Sequence, residues 1–474
     1  MATLPRTPDR KMINRVLISS VVGTAVEWYD FFLYGTAAAL VFGKLFFPSF
    51  DPLVGTIAAF GTFAIGYVAR PFGAVFFGHF GDRIGRKVTL VATLMIMGVA
   101  TFVIGILPTY ETIGVWAPIL LVAMRFIQGL GVGGEWGGAV LIVVESVPED
   151  KRGFFGSFPQ LGVPIGLLLS TGVFALVSQL PNDQFLSWGW RIPFLLSVVL
   201  IGIGLFIRLR VIESPVFEEA KATGAVVKAP LIELLKQYPK EIALALGTRF
   251  ATDITFNVMN VFMLAYGTQQ LGLPRSFFLN AILVGCAVEL FTLPLFGKLS
   301  DHIGRRKVYL MGAVFVALYG FLFFQLVETR DPMYIVLAYI CGMALSQASV
   351  YAVQSTWFAE IFGTRVRYTG ASLPYQIAGI ITSGPAPLIA AYLFATYHQT
   401  LPIAIYIAAT ALISLVCAYF LKETFQRNLS DDAAPRERGN NAPTQRRLPA
   451  EESRLGPIGT MNAGLWRVDR RCHQ

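Results

Sequence analysis

The chain has 474 residues, of which 55% are hydrophobic and only 14% charged, with a formal net charge of +9 and a mean hydropathy of +0.60. So little polar side chain cannot cover a water-exposed globule of this length, which excludes a soluble protein. The basic excess does not mark a nucleic-acid binder either, because the lysines and arginines recur in short loops between apolar runs and do not gather along one groove.

In chain order, residues 1–15 are polar and basic and read as a cytoplasmic N-terminus, with no cleavable signal peptide, since the first apolar run is too long and too charged for a signal core. Twelve transmembrane helices follow, at about 16–40, 56–78, 88–107, 116–144, 154–180, 191–211, 241–270, 277–297, 308–327, 333–358, 368–396 and 401–421. Each reaches the roughly 20 residues needed to cross about 30 Å of hydrocarbon. The runs are continuous and do not alternate in and out, which predicts helices and not barrel strands. Residues 16–211 form a first six-helix half and 241–422 a second, joined by a cytoplasmic linker at 212–240 that carries Pro215, Pro230 and Pro239. Residues 423–474 turn to Asp, Arg, Pro, Asn and Gly and are expected to be a disordered cytoplasmic tail.

The halves repeat each other. Gly78-His-Phe-Gly-Asp82-Arg83-Ile-Gly85-Arg86-Lys87 returns 219 positions later as Gly297-Lys-Leu-Ser-Asp301-His302-Ile-Gly304-Arg305-Arg306, and Glu145, Arg152, Ser157 and Pro159 return at an offset of 215 as Glu360, Arg367, Ser372 and Pro374. Two related halves around a midplane site are how many secondary transporters expose that site to each side in turn. The alternate loops that hold these motifs carry most of the Lys and Arg, whereas the opposite loops hold only Lys44, Arg191, Arg275 and Arg330. That asymmetry places both termini in the cytoplasm. Cys286, Cys341, Cys417 and Cys472 are isolated and predict free thiols. His79, His302, His398 and His473 all lie outside the middle of a span, and no nucleophile motif or metal cluster accompanies them, so neither an enzyme, a cofactor nor a metal is expected. Gly129-Leu-Gly131-Val-Gly133-Gly134 satisfies a dinucleotide fingerprint but lies inside an apolar span with no preceding strand.

The loop Gly78 to Lys87 resembles the signature loop of the major facilitator superfamily, over about residues 14–425. Gly23-Thr-Ala-Val-Glu27-Trp28-Tyr29-Asp30, Arg70-Pro71-Phe-Gly73, Gly133-Gly134-Glu135-Trp136-Gly137 and Ser187-Trp-Gly-Trp190-Arg191-Ile-Pro193 are similar to the metabolite:proton symporter branch, whose members carry shikimate, α-ketoglutarate, citrate, or proline and betaine. The resemblance implies the twelve-helix major facilitator fold, a bacterial inner membrane and symport of a small polar solute with protons. A monomer in the lipid bilayer is expected, with no nucleic-acid partner. His302 stands where the second loop of this family often has Arg.

Charged side chains deep in a span cost several kcal/mol unless they are paired or face a cavity. Those present are Glu27, Asp30, Arg70, Arg125, Glu135, Arg249, Asp253 and Glu289. Ser20, Gly23, Glu27, Asp30 and Tyr34 recur at threes and fours, one stripe of the first span. The family pattern pairs an arginine such as Arg125 with an acid on that span, which makes Asp30, Glu27, Arg125 and Glu135 the candidate proton switch. Candidate substrate contacts are Tyr34, Arg70, Gln128, Arg249, Asp253, Asn257, Tyr351, Gln354, Tyr375 and Gln376, polar walls at midplane depth. The arginine forks favour a small carboxylate such as shikimate or a dicarboxylate. A zwitterionic osmolyte read by arginine plus Trp28, Tyr29 or Trp136 is the alternative, and a sensor that binds without transporting is the other. Arg249 and Asp253, one turn apart, can also simply neutralise each other. Gating falls to Gly78, Asp82, Arg83, Gly85, Arg86, Asp301 and Arg305, with the arginines reaching Glu145 and Glu360 and the aspartates accepting bonds from a helix N-terminus.

Overall fold

Backbone N–H and C=O groups inside hydrocarbon have no water to bond, so each span must satisfy them internally. The computed structural model describes residues 10–84, 86–133, 136–210, 230–363, 366–425 and 427, and every regular element among them is helical. In chain order these are α1 (Ile13–Phe46), α2 (Pro52–Ile84), α3 (Arg86–Ile106) and α4 (Trp116–Val132 and Trp136–Ser146). Next come α5 (Glu149–Val177) and α6 (Gly189–Phe206), then α7, which runs as Pro239–Asn257, a π turn Val258–Phe262 and Met263–Gln269. The last five are α8 (Arg275–Ile303), α9 (Arg305–Glu328), α10 (Pro332–Ile361), α11 (Arg367–Tyr397) and α12 (Leu401–Phe420).

Ten of these are long and apolar enough to cross a membrane among the described residues. The two exceptions have different causes. For α3 the qualifying apolar stretch is only Val91–Ile106. α7 is long, but it buries Arg249, Asp253, Asn257 and Asn260, and these polar side chains lower its hydropathy. A helix that fails on apolarity because of buried charges is one whose polar face serves a purpose.

The repeat in sequence is a repeat in packing. α1 lies on α5 as α7 lies on α11, α2 on α4 as α8 on α10, and α3 on α6 as α9 on α12. α1 and α7 each contain a π turn, at Ala38–Phe42 and Val258–Phe262, 220 positions apart. The second signature loop is a single residue between α8 and α9, where Gly304 has φ +100°, a conformation that a side chain at this position would strain. Phe291, Leu318, Met333 and Leu176 point outward, the apolar coat of a lipid-facing bundle.

Within the first half, α2 and α4 approach through glycines. A Cβ at Gly129 would meet the backbone carbonyl of Gly66, and one at Gly133 the carbonyl of Arg70. Such close approach through small residues is the usual device where lipid supplies no hydrophobic drive. Gly133→Val should therefore force the helices apart, with an overpacking cost of about 1–3 kcal/mol or more. It should appear as a lower Tm of the detergent-purified protein, whereas Gly202→Ala, whose Cβ meets open space, should leave Tm unchanged.

Candidate substrate and coupling site

The first-half cluster is built on α1, α2, α3 and α4. Arg125 on α4 is fully buried, and Nη1 donates to Gln128 Oε1 at 2.6 Å. Gln128 Nε2 donates to Thr101 Oγ1 on α3 at 2.7 Å, and lies 3.5 Å from the backbone oxygen of Asp30. The Arg125 guanidinium sits 4.1 Å from the Phe31 ring centre and 4.4 Å from that of Tyr34. Tyr34 is held in place by its hydroxyl, which donates to Thr62 at 2.7 Å. Arg125 Nη2 and Asp30 Oδ1 have no hydrogen-bond partner. Arg125 fits because Gly66 is bare, since a Cβ there would run into its guanidinium.

Arg70 on α2 lies on the other side of the same ring. Its guanidinium is 4.5 Å from the Phe31 centroid, 4.3 Å from Tyr67 and 5.5 Å from Trp28, and its Nε and Nη2 are buried without hydrogen-bond partners. Cation–π attraction holds it, yet two guanidinium groups about one phenyl ring repel each other.

The second-half cluster is more fully committed. Arg249 pairs with Asp253, and its Nη1 donates to Gln354 Oε1 at 2.5 Å. Thr382 on α11 donates to Asp253 Oδ2 at 2.7 Å. Gln354 Nε2 donates to Thr248 O and Thr252 Oγ1, at 3.0 and 3.1 Å. Gln354 thus links α10 to α7 through both ends of its amide. Asn257 and Asn260 donate to the carbonyls of Asp253 and Phe256 in their own helix, leaving each Oδ1 without a partner. The Tyr351 hydroxyl is also buried and unpartnered.

Tyr375 joins the halves. Its ring lies 4.2 Å from the Arg249 guanidinium and is stacked on Trp136 of α4 at 4.0 Å. Trp136 Nε1 donates to Gln160 Oε1, and Gln160 Nε2 donates to Tyr351 O, both at 3.1 Å. Gln376 Nε2 donates to Gly133 O at 2.9 Å, so Gln376 spends its nitrogen on the contact between halves. Tyr67 of α2, whose ring lies 4.3 Å from the Arg70 guanidinium, packs against Gly379 of α11. One polar centre therefore spans α1, α2, α4, α7, α10 and α11.

Both ends of this centre are shut. At the basic-loop end, Asp301 of α8 accepts from the backbone N–H of Gly153 and Phe154 at the start of α5, at 2.7 and 2.8 Å, and from Arg305 at 2.7 Å. Arg305 also bonds Glu360 at 3.2 Å, and Arg367 bonds Glu145 across the halves at 3.2 Å. The repeat predicts that Arg86 reaches Glu145. Among the described residues Glu145 is bonded by Arg367 of α11, and the Arg86 side chain lies outside them. Gly78, Asp82 and Arg83 fall in α2 and Arg86 opens α3, their side chains lying outside the described residues, as do Gly85 and Glu135 altogether. Glu27 is buried one turn before Asp30. At the far end, Gln269 of α7 accepts from Thr56 at 3.0 Å and donates to Ala39 O at 3.3 Å.

The model of the Major Facilitator Superfamily matches residues 20–381 and, in a second match, 287–453. The chain belongs to this superfamily. It is 45% identical over 418 residues to the shikimate transporter of Escherichia coli (strain K12), covering 87% of this chain and 95% of that one. It is 33% identical to the proline/betaine transporter of the same strain, over 89% and 86% of the two chains. The crystal structure of a D-xylose–proton symporter superposes with a TM-score of 0.67 at 20% identity, covering 87% of this chain and 98% of that one, which speaks to the fold alone. The protein is thus a multi-pass membrane transporter with the twelve-helix facilitator fold and is not an enzyme.

Sequence reasoning overlooks Tyr67, Thr101, Gln160 and Thr382 in this transporter. Phe63, Tyr67 and Arg70 do share a helical face at spacings of four and three, a signal that could have found Tyr67. The hydroxyl and amide groups carry none, because an uncharged polar residue in a span is too common to mark a site.

Proposed function

We propose that this transporter is a proton-coupled symporter that imports a small carboxylate by alternating access, as a monomer in the cytoplasmic membrane of a bacterium with both termini in the cytoplasm. The observation that carries the reading is Arg70, a buried guanidinium in an aromatic enclosure with two nitrogens uncommitted. A carboxylate placed there would meet a two-pronged donor and neutralise the repulsion between Arg70 and Arg125. Arg249 serves differently, since Asp253 and Gln354 already occupy it and it positions Tyr375. Asp30 lies beside Arg125 with one oxygen uncommitted. Protonating it removes the anion nearest Arg125 and frees that guanidinium for the substrate, so solute and proton bind together. The 45% identity to a shikimate transporter supports a hydroxylated carboxylate.

Uptake of labelled shikimate, α-ketoglutarate, citrate, betaine and proline into proteoliposomes tests this. A carboxylate is expected to be accumulated, and Arg70→Lys is expected to raise its half-saturation constant at least severalfold, because a point charge does not reproduce a fork. Unchanged affinity in Arg70→Lys would make the arginine structural. The stacked Trp136–Tyr375 pair favours a second reading, a zwitterion whose ammonium lies on an aromatic face. Uptake confined to betaine and proline would establish that reading, and binding without uptake would establish a sensor.

A further inference from the structure

Glu289 lies in the middle of α8 and is fully buried, with neither carboxyl oxygen hydrogen-bonded. Bare Gly285, one turn earlier, lies against Tyr339 O, and a Cβ there would stand 2.7 Å from Met343 Sδ of α10. α8 and α10 run in the same direction, toward Asp301 and Glu360, which share Arg305. Met343 belongs to the π turn Cys341–Gln347 of α10, where Ser346 Oγ and Gln347 Oε1 are buried and unpartnered as well. π turns often mark functional positions because they re-aim side chains within a helix.

Among the described residues, no cation faces this carboxyl from any helix packed on α8. α5 packs on α8 through Phe158–Val177, which contains no ionisable residue, and through Arg152–Gly156, where Arg152 lies at the Asp301 end of α8 and bonds Glu149. α10 contributes Tyr339, whose hydroxyl donates to Met259 O at 2.6 Å, and Cys341. α9 contributes Tyr319, whose hydroxyl donates to Ala338 O at 2.8 Å, and the last turns of α7 contribute Tyr266. On α8 itself the neighbour is Cys286. Arg305 is about four turns away and held by Asp301 and Glu360. A carboxylate sealed here without a donor would cost several kcal/mol. The neutral acid carries no such cost of burying a charge. α8 also packs on α5 of the other half, so relative motion of the halves changes what surrounds Glu289.

We propose that Glu289 is a second proton-binding site of this transporter, loaded when α8 is closed on α5 and α10 and unloaded when they part. The inference rests on the proton-coupled reading above. Each coupled proton multiplies the attainable accumulation by about tenfold per unit of imposed pH gradient. In proteoliposomes under a gradient of about one unit, Glu289→Gln is expected to lower the steady-state accumulation about tenfold while solute counterflow continues. Glu289→Asp, which keeps an acid, should accumulate as the parent does. Parent-level accumulation in Glu289→Gln overturns the proposal. If Asp30→Asn alone loses coupling, the symport reading survives that result, whereas accumulation by the parent that an uncoupler leaves untouched ends the symport reading too. A measurement on the unaltered protein needs no variant to fold: a hydrophobic carbodiimide adds to protonated carboxyls in apolar surroundings, and mass spectrometry should find the adduct on Glu289 at neutral pH. Its absence there would equally overturn the assignment.

Discussion

Asp30→Asn is expected to abolish accumulation of solute against a gradient while leaving exchange across the membrane. Asparagine keeps the shape of the protonated acid beside Arg125 and Gln128, so the site stays assembled, but it has no proton to release. Asp30 is among the most buried charged groups of the structure, and one of its oxygens is uncommitted. The two partners nearest it, Arg125 and Thr101, lie on different helices, α4 and α3. Small movements of α1 against those helices therefore change the balance between its charged and neutral forms. The measurement is uptake into proteoliposomes with an imposed pH gradient, with and without an uncoupler. A variant that still concentrates solute, and still loses it to the uncoupler, would place the proton elsewhere, and Glu27 would be the next acid to test.

Asp301→Ala is expected to open the basic-loop end of the transporter. Asp301 makes two bonds to the N-terminal N–H groups of α5 and one to Arg305. The two bonds to α5 cross between the halves, and bonds to a charged group contribute about 1.5–3 kcal/mol each. Their loss falls only on the state in which this end is closed. The equilibrium should then shift toward opening at this end by at least two orders of magnitude, a difference of about 3 kcal/mol. With the native cysteines replaced, a reporter cysteine in the Phe158–Pro164 part of α5 should be labelled faster than in the parent, and one between Thr171 and Val177 more slowly. Equal labelling of both reporters in variant and parent would reduce Asp301 to a helix cap. Asp82 stands 219 positions earlier in the first loop and bears on the same question.

Local composition determined the class, the spans and the halves of this protein. An apolar run of about 20 residues has one stable form in hydrocarbon, and that form depends on nothing far away in the chain. The same locality made α7 readable as a span in spite of Arg249 and Asp253, because its length and flanks are those of its neighbours. Stripes at threes and fours single out Asp30, Tyr34, Arg125 and Gln128, and its charge within a span singles out Arg70; the tertiary fold gathers them around the Phe31 ring.

What helical periodicity does not contain is which neighbour a face meets. Tyr351 and Gln354 share a stripe on α10, yet Tyr351 keeps a free hydroxyl while Gln354 is bound at both ends to α7. Arg249 and Arg70 are both buried arginines among aromatic rings in the polar centre, yet Arg249 has an acid one turn away, whereas Arg70 Nε and Nη2 have no hydrogen-bond partner. Glu145 meets Arg367 of α11, which lies in the other half 222 positions away. Spacing along one helix settles which way a side chain points to within a part of a turn. Whether it meets a donor, an aromatic ring or nothing is settled by helices hundreds of residues distant, which is why Gln354 is hydrogen-bonded at both ends of its amide while Arg70 Nε and Nη2 and both Glu289 oxygens have no hydrogen-bond partner.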